Sequence, residues 1–191
     1  MTDNGITGNF HKDAETPTGT CAVIVVDKER TLCANLAAAC KYPSEHLKAN
    51  MSTLDNAKII YSTSFFITSN VGALHEIAKY ASDHDICFGY NLSAVFLLQF
   101  ELNNVLAAME HADYLFANED EAAAFGTSQK MEGASLQDIA KVMAKWKKSN
   151  TKRPRVAIVT NGAKPVIVAI NTPGSDEVEL TEYPVAALES S

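Results

Sequence analysis

Four short groups of polar and aromatic residues each follow an apolar run of strand-like length, and they are the first candidates for chemistry. They are residues 63–66, 91–93, 118–121 and 160–162. Because ligands of open parallel sheets bind beyond the carboxyl ends of the strands, we expect these groups to meet at one rim. Three of the four groups carry small polar or amide side chains, which suits the recognition of a polar ligand.

Three of these candidates have an alternative, purely structural interpretation. Asn118 and Glu121 have the spacing of a capping box, in which two side chains accept the free N–H groups of a helix start. The pair Asn161-Gly162 is typical of a tight turn. Asn91 is the polar end of a predicted strand. Both interpretations stay open for each residue.

Other candidates have equally simple alternatives. Arg30 lies in a charged run that predicts a solvent-exposed turn. Phe65 and Phe96 are of a residue type that is usually found in cores. The five histidines show no metal-ligand spacing, so we assign them no chemistry.

The elements that must position these groups alternate between strands and helices after Pro43. The predicted strands are residues 58–62, 86–91, 113–117 and 155–160, and the predicted helices are residues 44–55, 71–82, 96–109, 119–125 and 135–147. Such alternation indicates βαβ units, so we predict an α/β fold in which a parallel sheet carries helices on both faces. Residues 166–170 and 178–183 predict a terminal antiparallel hairpin.

The residues before Pro43 have a different texture. Residues 21–26 and 31–36 predict two strands joined by the charged turn 27–30, which together form a β-hairpin.

Composition excludes several classes of function. The 191 residues carry 16 Lys and Arg against 23 Asp and Glu, a net charge of −7, which disfavours nucleic acid and anionic membranes as partners. No apolar run approaches the roughly 20 residues of a membrane-spanning helix. Residues 1–20 lack the apolar stretch of a secretory signal. Four irregularly spaced cysteines predict reduced, mostly buried thiols in the cytosol.

Five segments in order carry a family resemblance from residue 16 onward. They are Thr18-Gly19-Thr20-Cys21-Ala22, Arg30-x-Leu32-x-Ala34-Asn35-Leu36, Phe65-Phe66-x-Thr68, Asn91-Leu92-Ser93-Ala94 and Phe116-x-Asn118-Glu119-x-Glu121. With Thr160-x-Gly162 further along, the chain resembles the ribokinase/PfkB family of carbohydrate and nucleoside kinases, and within it the adenosine kinase branch. The resemblance implies a ribokinase-like fold with a small β lid. Residues 1–42 would be part of that lid, and residues 43–191 a nucleotide-binding large domain, incomplete at both ends.

The resemblance also implies an activity, which is ATP-dependent phosphorylation of adenosine to AMP in purine salvage, with Mg²⁺ as cofactor. It implies a protein that is a monomer when complete, in the cytoplasm and also in the nucleus, without nucleic-acid or membrane partners. The alternative is an inactive nucleotide-binding or interaction module derived from such a kinase. A dinucleotide-dependent reductase is disfavoured because no G-x-G-x-x-G follows a predicted strand.

Site roles follow from the resemblance residue by residue. Arg30 would be the lid arginine that stabilises the transferring phosphoryl group, since a planar guanidinium suits phosphoryl oxygens. Glu121 would act on magnesium, largely through water. The expected nucleoside contacts are Cys21, Leu32, Ala34, Leu36, Phe65 and Phe96, and the expected ATP contacts are Asn91, Asn118, Thr160 and Gly162.

The sequence departs from the family pattern at three places. Val95 precedes Phe96 where relatives usually have proline. No first strand with an acidic residue and a Gly-Gly turn is found, and no Gly-Ala-Gly-Asp turn with its catalytic base. We therefore expect a partial kinase, whose isolated chain aggregates or stays molten because a parallel sheet is left uncovered.

Overall fold

A separate two-stranded hairpin precedes the main sheet in the computed structural model, which describes residues 5–27 and 29–186. Strand β1 (Thr20–Val26) pairs antiparallel with β2 (Glu29–Asn35), and β1 is rich in β-branched residues. The predicted hairpin is confirmed, while Lys28 of the predicted turn lies outside the described residues. Arg30 lies inside β2 opposite Val25, so its predicted position in the turn is wrong.

The main sheet has six strands in sequence order. They are β3 (Ile59–Thr63), β4 (Cys87–Asn91), β5 (Tyr114–Ala117), β6 (Arg155–Asn161), β7 (Lys164–Asn171) and β8 (Glu179–Tyr183). The first four strands run parallel, and β7 and β8 extend the sheet as antiparallel neighbours. The predicted α/β class and the terminal hairpin are confirmed.

Six α-helices connect or flank these strands in the part of the chain that the structure describes. They are α1 (Ser44–Asn50), α2 (Phe66–Asp83), α3 (Val95–Phe100), α4 (Leu102–Met109), α5 (Glu119–Ser128) and α6 (Leu136–Lys145). Within α2, Asn70 is non-helical, and its Oδ1 accepts the Ala73 N–H at 2.9 Å, so the regular helix begins beside the predicted residue 71. The predicted helix 96–109 is divided at Glu101. No helix in the described part is long and apolar enough to span a membrane.

The core lies between the six helices and one face of the main sheet. The sheet contributes alternate residues to it, for example Phe88 and Tyr90 from β4 and Leu115 from β5, all fully buried. Helices α2 and α6 supply facing side chains such as Leu74 and Met143. The strand residues with period 2 and the helix residues with period 3.6 therefore form one core, which lies between the sheet and the helices.

The opposite face of the sheet is apolar and open. Ile59 is 68% exposed, Tyr61 55% and Tyr114 40%, and they share this face with Cys87 and Phe116 around a shallow groove. The expectation of helices on both faces is therefore wrong for the described residues, whose helices all pack against the other side. The reason is that apolar residues on both faces of a strand do not show which face of the sheet is covered by helices. We call the surface formed by these five residues the open face.

All four cysteines are free thiols, but the expectation that they are mostly buried is wrong. Cys21, Cys33 and Cys40 are exposed, and Cys87 is half-buried on the open face. Cys21 and Cys33 are exposed because the hairpin stands apart from the main sheet, so both of its faces meet solvent.

Charging the open face should reduce self-association of the chain. An exposed apolar sheet surface binds hydrophobic dyes and other chains. Replacing Ile59 and Tyr114 by lysine should lower the fluorescence of bound anilinonaphthalene sulfonate severalfold and move the chain towards the monomer in sedimentation velocity. The matched control is lysine at Ile24 and Val26 on the hairpin, which are as exposed but lie outside the main sheet. Equal effects of the two double variants would show that the open face is not the main adhesive surface.

Candidate functional site

The carboxyl ends of β3, β4, β5 and β6 surround one cavity of about 360 Å³. Its lining includes Phe65, Asn91, Asn118, Glu121 and Thr160, which come from all four polar groups of the sequence. The expected convergence of the strand ends at one rim is thus observed, because four parallel strands end at the same edge.

At the start of α5, Asn118 and Glu121 form a capping box. Asn118 Oδ1 accepts the Glu121 N–H at 2.8 Å, and Glu121 Oε2 accepts the Asn118 N–H at 3.0 Å. Glu121 is only 6% exposed, and burial raises the pKa of its carboxyl above the ordinary value. The structural interpretation of this pair is confirmed, and both residues also line the cavity.

The end of β4 is held by its own side chains. Asn91 Oδ1 accepts the Ser93 N–H at 2.8 Å, and Asn91 Nδ2 donates to the Tyr61 hydroxyl at 3.2 Å. Asn91 therefore lines the cavity as an ordered amide whose direction is fixed by two neighbours.

Thr160 lines the side of the cavity formed by β6, and Gly162 lies in the turn that follows without lining the cavity. The Thr160 hydroxyl donates to the Ala117 carbonyl at 3.5 Å and lines the cavity. Gly162 has φ +54° in the turn between β6 and β7, so the predicted Asn161-Gly162 turn is confirmed. A Cβ added at Gly162 would lie 3.8 Å from Glu119 Oε1, which places this turn beside the start of α5.

An aromatic pair stands at the other side of the cavity. The rings of Phe65 and Phe96 are 6.1 Å apart, and they are 47% and 45% exposed, so the interpretation as core residues is wrong. Leu36 and Phe65 also line a neighbouring cavity of about 310 Å³ at the base of the hairpin. This part of the rim offers flat and aliphatic surface, which suits an apolar ring of a ligand.

The remaining candidates share one face of the hairpin but do not line the cavity. Cys21 lies opposite Ala34, and Leu32 lies opposite Val23, at alternate positions of the antiparallel pair. Arg30 lies two residues before Leu32 in β2, so it shares the same face, and it is exposed. The structure therefore gathers Cys21, Leu32, Ala34 and Arg30 on one surface, separate from the cavity at the sheet.

The large apolar residues of the cavity that sequence reasoning missed are Phe116 and Ile158. Both lie on the open side of the sheet, two residues before the polar ends Asn118 and Thr160. The period-2 pattern of a strand carries this signal, because residues two apart point the same way.

The donor set of the cavity contains one carboxylate, that of Glu121. Among the described residues, no group of three or more His, Cys, Asp or Glu side chains could hold a metal ion by itself. Magnesium is commonly bound through one or two carboxylates together with waters and substrate phosphates, so a single buried carboxylate fits this ion only alongside a phosphate ligand.

Removing the cap at Asn118 should destabilise the helix start of the site. Asn118→Ala should lower the free energy of unfolding by about 1 kcal/mol, because the Glu121 N–H loses its acceptor. Urea denaturation followed by circular dichroism measures this loss. Ser135→Ala is the matched control, since Ser135 caps α6 in the same way far from the cavity. A cost at Asn118 well below that at Ser135 would contradict the capping geometry.

Comparison with known proteins places this geometry in a family. Residues 1–188 match the pfkB family carbohydrate kinases. The chain is 34% identical to adenosine kinase 1 of Arabidopsis thaliana over 186 residues, which cover 96% of this chain and 52% of that protein. It is 34% identical to the adenosine kinase of Dictyostelium discoideum, covering 88% of this chain and 50% of the relative. The chain thus spans about half the length of these relatives.

Solved structures agree with the sequence comparison. The adenosine kinase of Anopheles gambiae, in complex with P1,P4-di(adenosine-5) tetraphosphate, superposes with a TM-score of 0.89 at 38% identity, over 98% of this chain and 55% of that one. The adenosine kinase of Schistosoma mansoni, in complex with 2-fluoroadenosine, gives a TM-score of 0.83 at 27% identity, over 93% and 51%. With a match over nearly its whole length, the chain belongs to the pfkB family of carbohydrate kinases.

Proposed function

We propose that the chain contributes the central part of an adenosine kinase, which transfers the γ-phosphoryl group of ATP to the 5′-hydroxyl of adenosine in purine salvage. The observation that carries this proposal is one cavity lined both by Phe65, whose ring lies beside that of Phe96, and by polar residues at the ends of four strands. The relatives named adenosine kinase, at 34–38% identity, support the choice of nucleoside.

The purine would lie on the side of Phe65 and Phe96. Two partly exposed rings beside Leu36 offer stacking and dispersion to a flat base. Closing the hairpin over this slot would add Leu32, Ala34 and Cys21, which already share one face. Residues 1–42 are in this proposal part of a lid, and residues 43–191 belong to the large domain.

The phosphates would lie on the side of α5. The free N–H groups of a helix start favour an anion, and Asn118 begins the helix while Thr160 and Asn91 add polar groups at the same rim. Gly162 lets the β6–β7 turn approach this rim closely. Arg30 would reach the transferring group from the hairpin and stabilise its charge, since the group spreads negative charge over three oxygens.

Magnesium ion bound with ATP would neutralise part of the phosphate charge. Glu121 is the residue that would hold it, through a water molecule, because it is the carboxylate that faces the cavity from the helix start. A monomer acting in the cytoplasm, and also in the nucleus, remains part of this proposal.

A second candidate is a module that binds nucleoside or nucleotide without transferring phosphate. The observation in its favour is that Arg30, the expected phosphoryl-stabilising residue, does not line the cavity at the sheet.

Measurement of both binding and turnover separates the two functions. The purified chain is incubated with Mg²⁺ and ATP, with and without adenosine, and ADP is followed by chromatography while binding of each ligand is followed by calorimetry. Because no turn with the catalytic base is found in the sequence, the rate should be lowered by about 10²- to 10⁴-fold. Any adenosine-dependent ADP formation above the adenosine-free control therefore supports the kinase. Binding of adenosine and ATP without ADP formation supports the module, and binding of neither would refute both.

A further inference from the structure

Ser93 joins the two sides of the cavity through its hydroxyl group. Ser93 Oγ donates to the Asn91 carbonyl at 2.9 Å and accepts the backbone N–H of Ser64 at 3.1 Å. Ser64 is fully buried, directly follows β3, and directly precedes Phe65. The Ser64 N–H and hydroxyl also donate directly to the Asn91 carbonyl, at 2.9 and 2.8 Å. The Ser93 hydroxyl therefore adds a further link between the segment that carries Phe65 and the polar end of β4.

The backbone of Ser93 is held in an unusual conformation. Its φ is +68°, in the left-handed region that glycine adopts freely and that other residues rarely enter. Glycine would be the simple choice if only a turn were needed. A serine kept at such a position indicates that the side chain has a use that outweighs the backbone strain.

Ser93 also lies beside the helix start of α5 and the beginning of α3. It lines the cavity together with Glu121, and its backbone N–H opposes the rise of the Glu121 pKa that burial causes. Phe96 follows three residues later, in the first turn of α3. The residues proposed for the purine and those proposed for the phosphates are thus both attached to segments that meet at Ser93.

We infer that Ser93 is a positioning residue, whose hydroxyl fixes the Phe65–Phe96 slot relative to Asn91 and Glu121 before ligands bind. The inference rests on the proposed function for the identity of the ligand. A preorganised slot binds more tightly because less ordering is required on binding. Loss of the hydroxyl should therefore weaken adenosine binding without unfolding the chain.

Two substitutions separate this role from that of a turn. Ser93→Gly removes the hydroxyl and the strain, so the melting temperature should stay equal or rise. Ser93→Ala removes the hydroxyl and keeps the strain, so the melting temperature should fall. Both should weaken adenosine binding by about tenfold, the effect of losing one or two hydrogen bonds. Lys130→Gly is the control, because Lys130 has φ +60° at the exposed end of α5.

Calorimetric titration with adenosine and amide hydrogen exchange give the readouts. The expected result is weaker binding in both Ser93 variants and unchanged binding in Lys130→Gly. The Ser64 amide should exchange severalfold faster without Ser93 Oγ, since its N–H then keeps only the Asn91 carbonyl as acceptor. Wild-type affinity in Ser93→Gly would overturn the inference. If the unmodified chain binds no adenosine, the proposed function fails. The exchange rate of the Ser64 amide then tests the role of Ser93 by itself. An unchanged rate for Ser64 overturns the role of Ser93, and a faster one supports it.

Discussion

Replacing Asp113 with alanine should lower the free energy of unfolding by about 3–5 kcal/mol, the cost of leaving a buried partner charge uncompensated. Asp113 Oδ1 accepts from Lys148 Nζ at 2.6 Å, and Asp113 Oδ2 accepts the Phe88 N–H at 3.0 Å. The two charged side chains are 3% and 9% exposed. Asp113 precedes β5 at the edge opposite the cavity, so its loss loosens the strands that support the site.

Urea denaturation with matched variants measures this effect. Asp83→Ala removes a carboxylate from an exposed ion pair with Lys79 and should have little measurable effect. Adding Lys148→Met to Asp113→Ala should recover part of the lost stability, because no charge is then left buried. An Asp113→Ala variant as stable as Asp83→Ala would contradict the proposed importance of the buried pair.

Replacing Glu121 with glutamine should weaken Mg²⁺-dependent ATP binding by about 10- to 100-fold, the usual effect of removing a group that acts on a metal through its outer shell. Glutamine at this position can still accept the Asn118 N–H, so the capping box survives. Calorimetry with ATP in the presence and absence of Mg²⁺ isolates the metal-dependent part. Asp120→Asn is the matched control, since it removes one exposed charge from the same helix turn. If the two variants lose Mg²⁺-dependent ATP binding equally, Glu121 acts only through its negative charge and not as a specific magnesium ligand.

The pH dependence gives a second measurement on Glu121. Burial raises the pKa of this carboxyl above 4.5 in the folded chain, so the folded state holds the proton more strongly than the unfolded state. The contribution of this group to stability is thus fully present below pH 4.5 and is lost as the pH rises through the raised pKa. Magnesium-dependent ATP binding needs the charged form, so it should weaken as the pH falls through the same range. The Glu121→Gln profile is the reference and should lack both changes.

The sheet was predictable because its strands are short apolar runs bounded by helices with regular spacing. Residues 155–160, for example, became β6 with one added residue. The division of helix 96–109 at Glu101 was not predictable, since a locally acceptable helical pattern continues through it. The same limit applies to the open face, because Ile59 and Tyr61 look like buried strand residues whichever face is covered.

The site was predictable where chemistry and position coincide. Asn118, Glu121 and Thr160 are polar at strand ends, and parallel strands bring such ends together. Phe116 and Ile158 were not predicted as site residues, because apolar residues in a strand are usually expected in the core. The position of Arg30 within β2 depends on where the hairpin turns, which charged residues alone do not determine.

The central claim is that one cavity receives both a nucleoside and a polyphosphate, and a nuclear magnetic resonance titration tests it most directly. P1,P4-di(adenosine-5) tetraphosphate is the probe, since it carries both chemical groups in one molecule. The backbone amides of Phe65, Ser93, Asn118 and Thr160 should shift together with a single dissociation constant, while amides near Asp113 stay unchanged. Shifts confined to the open face or the hairpin, or different constants for the four amides, would contradict the claim.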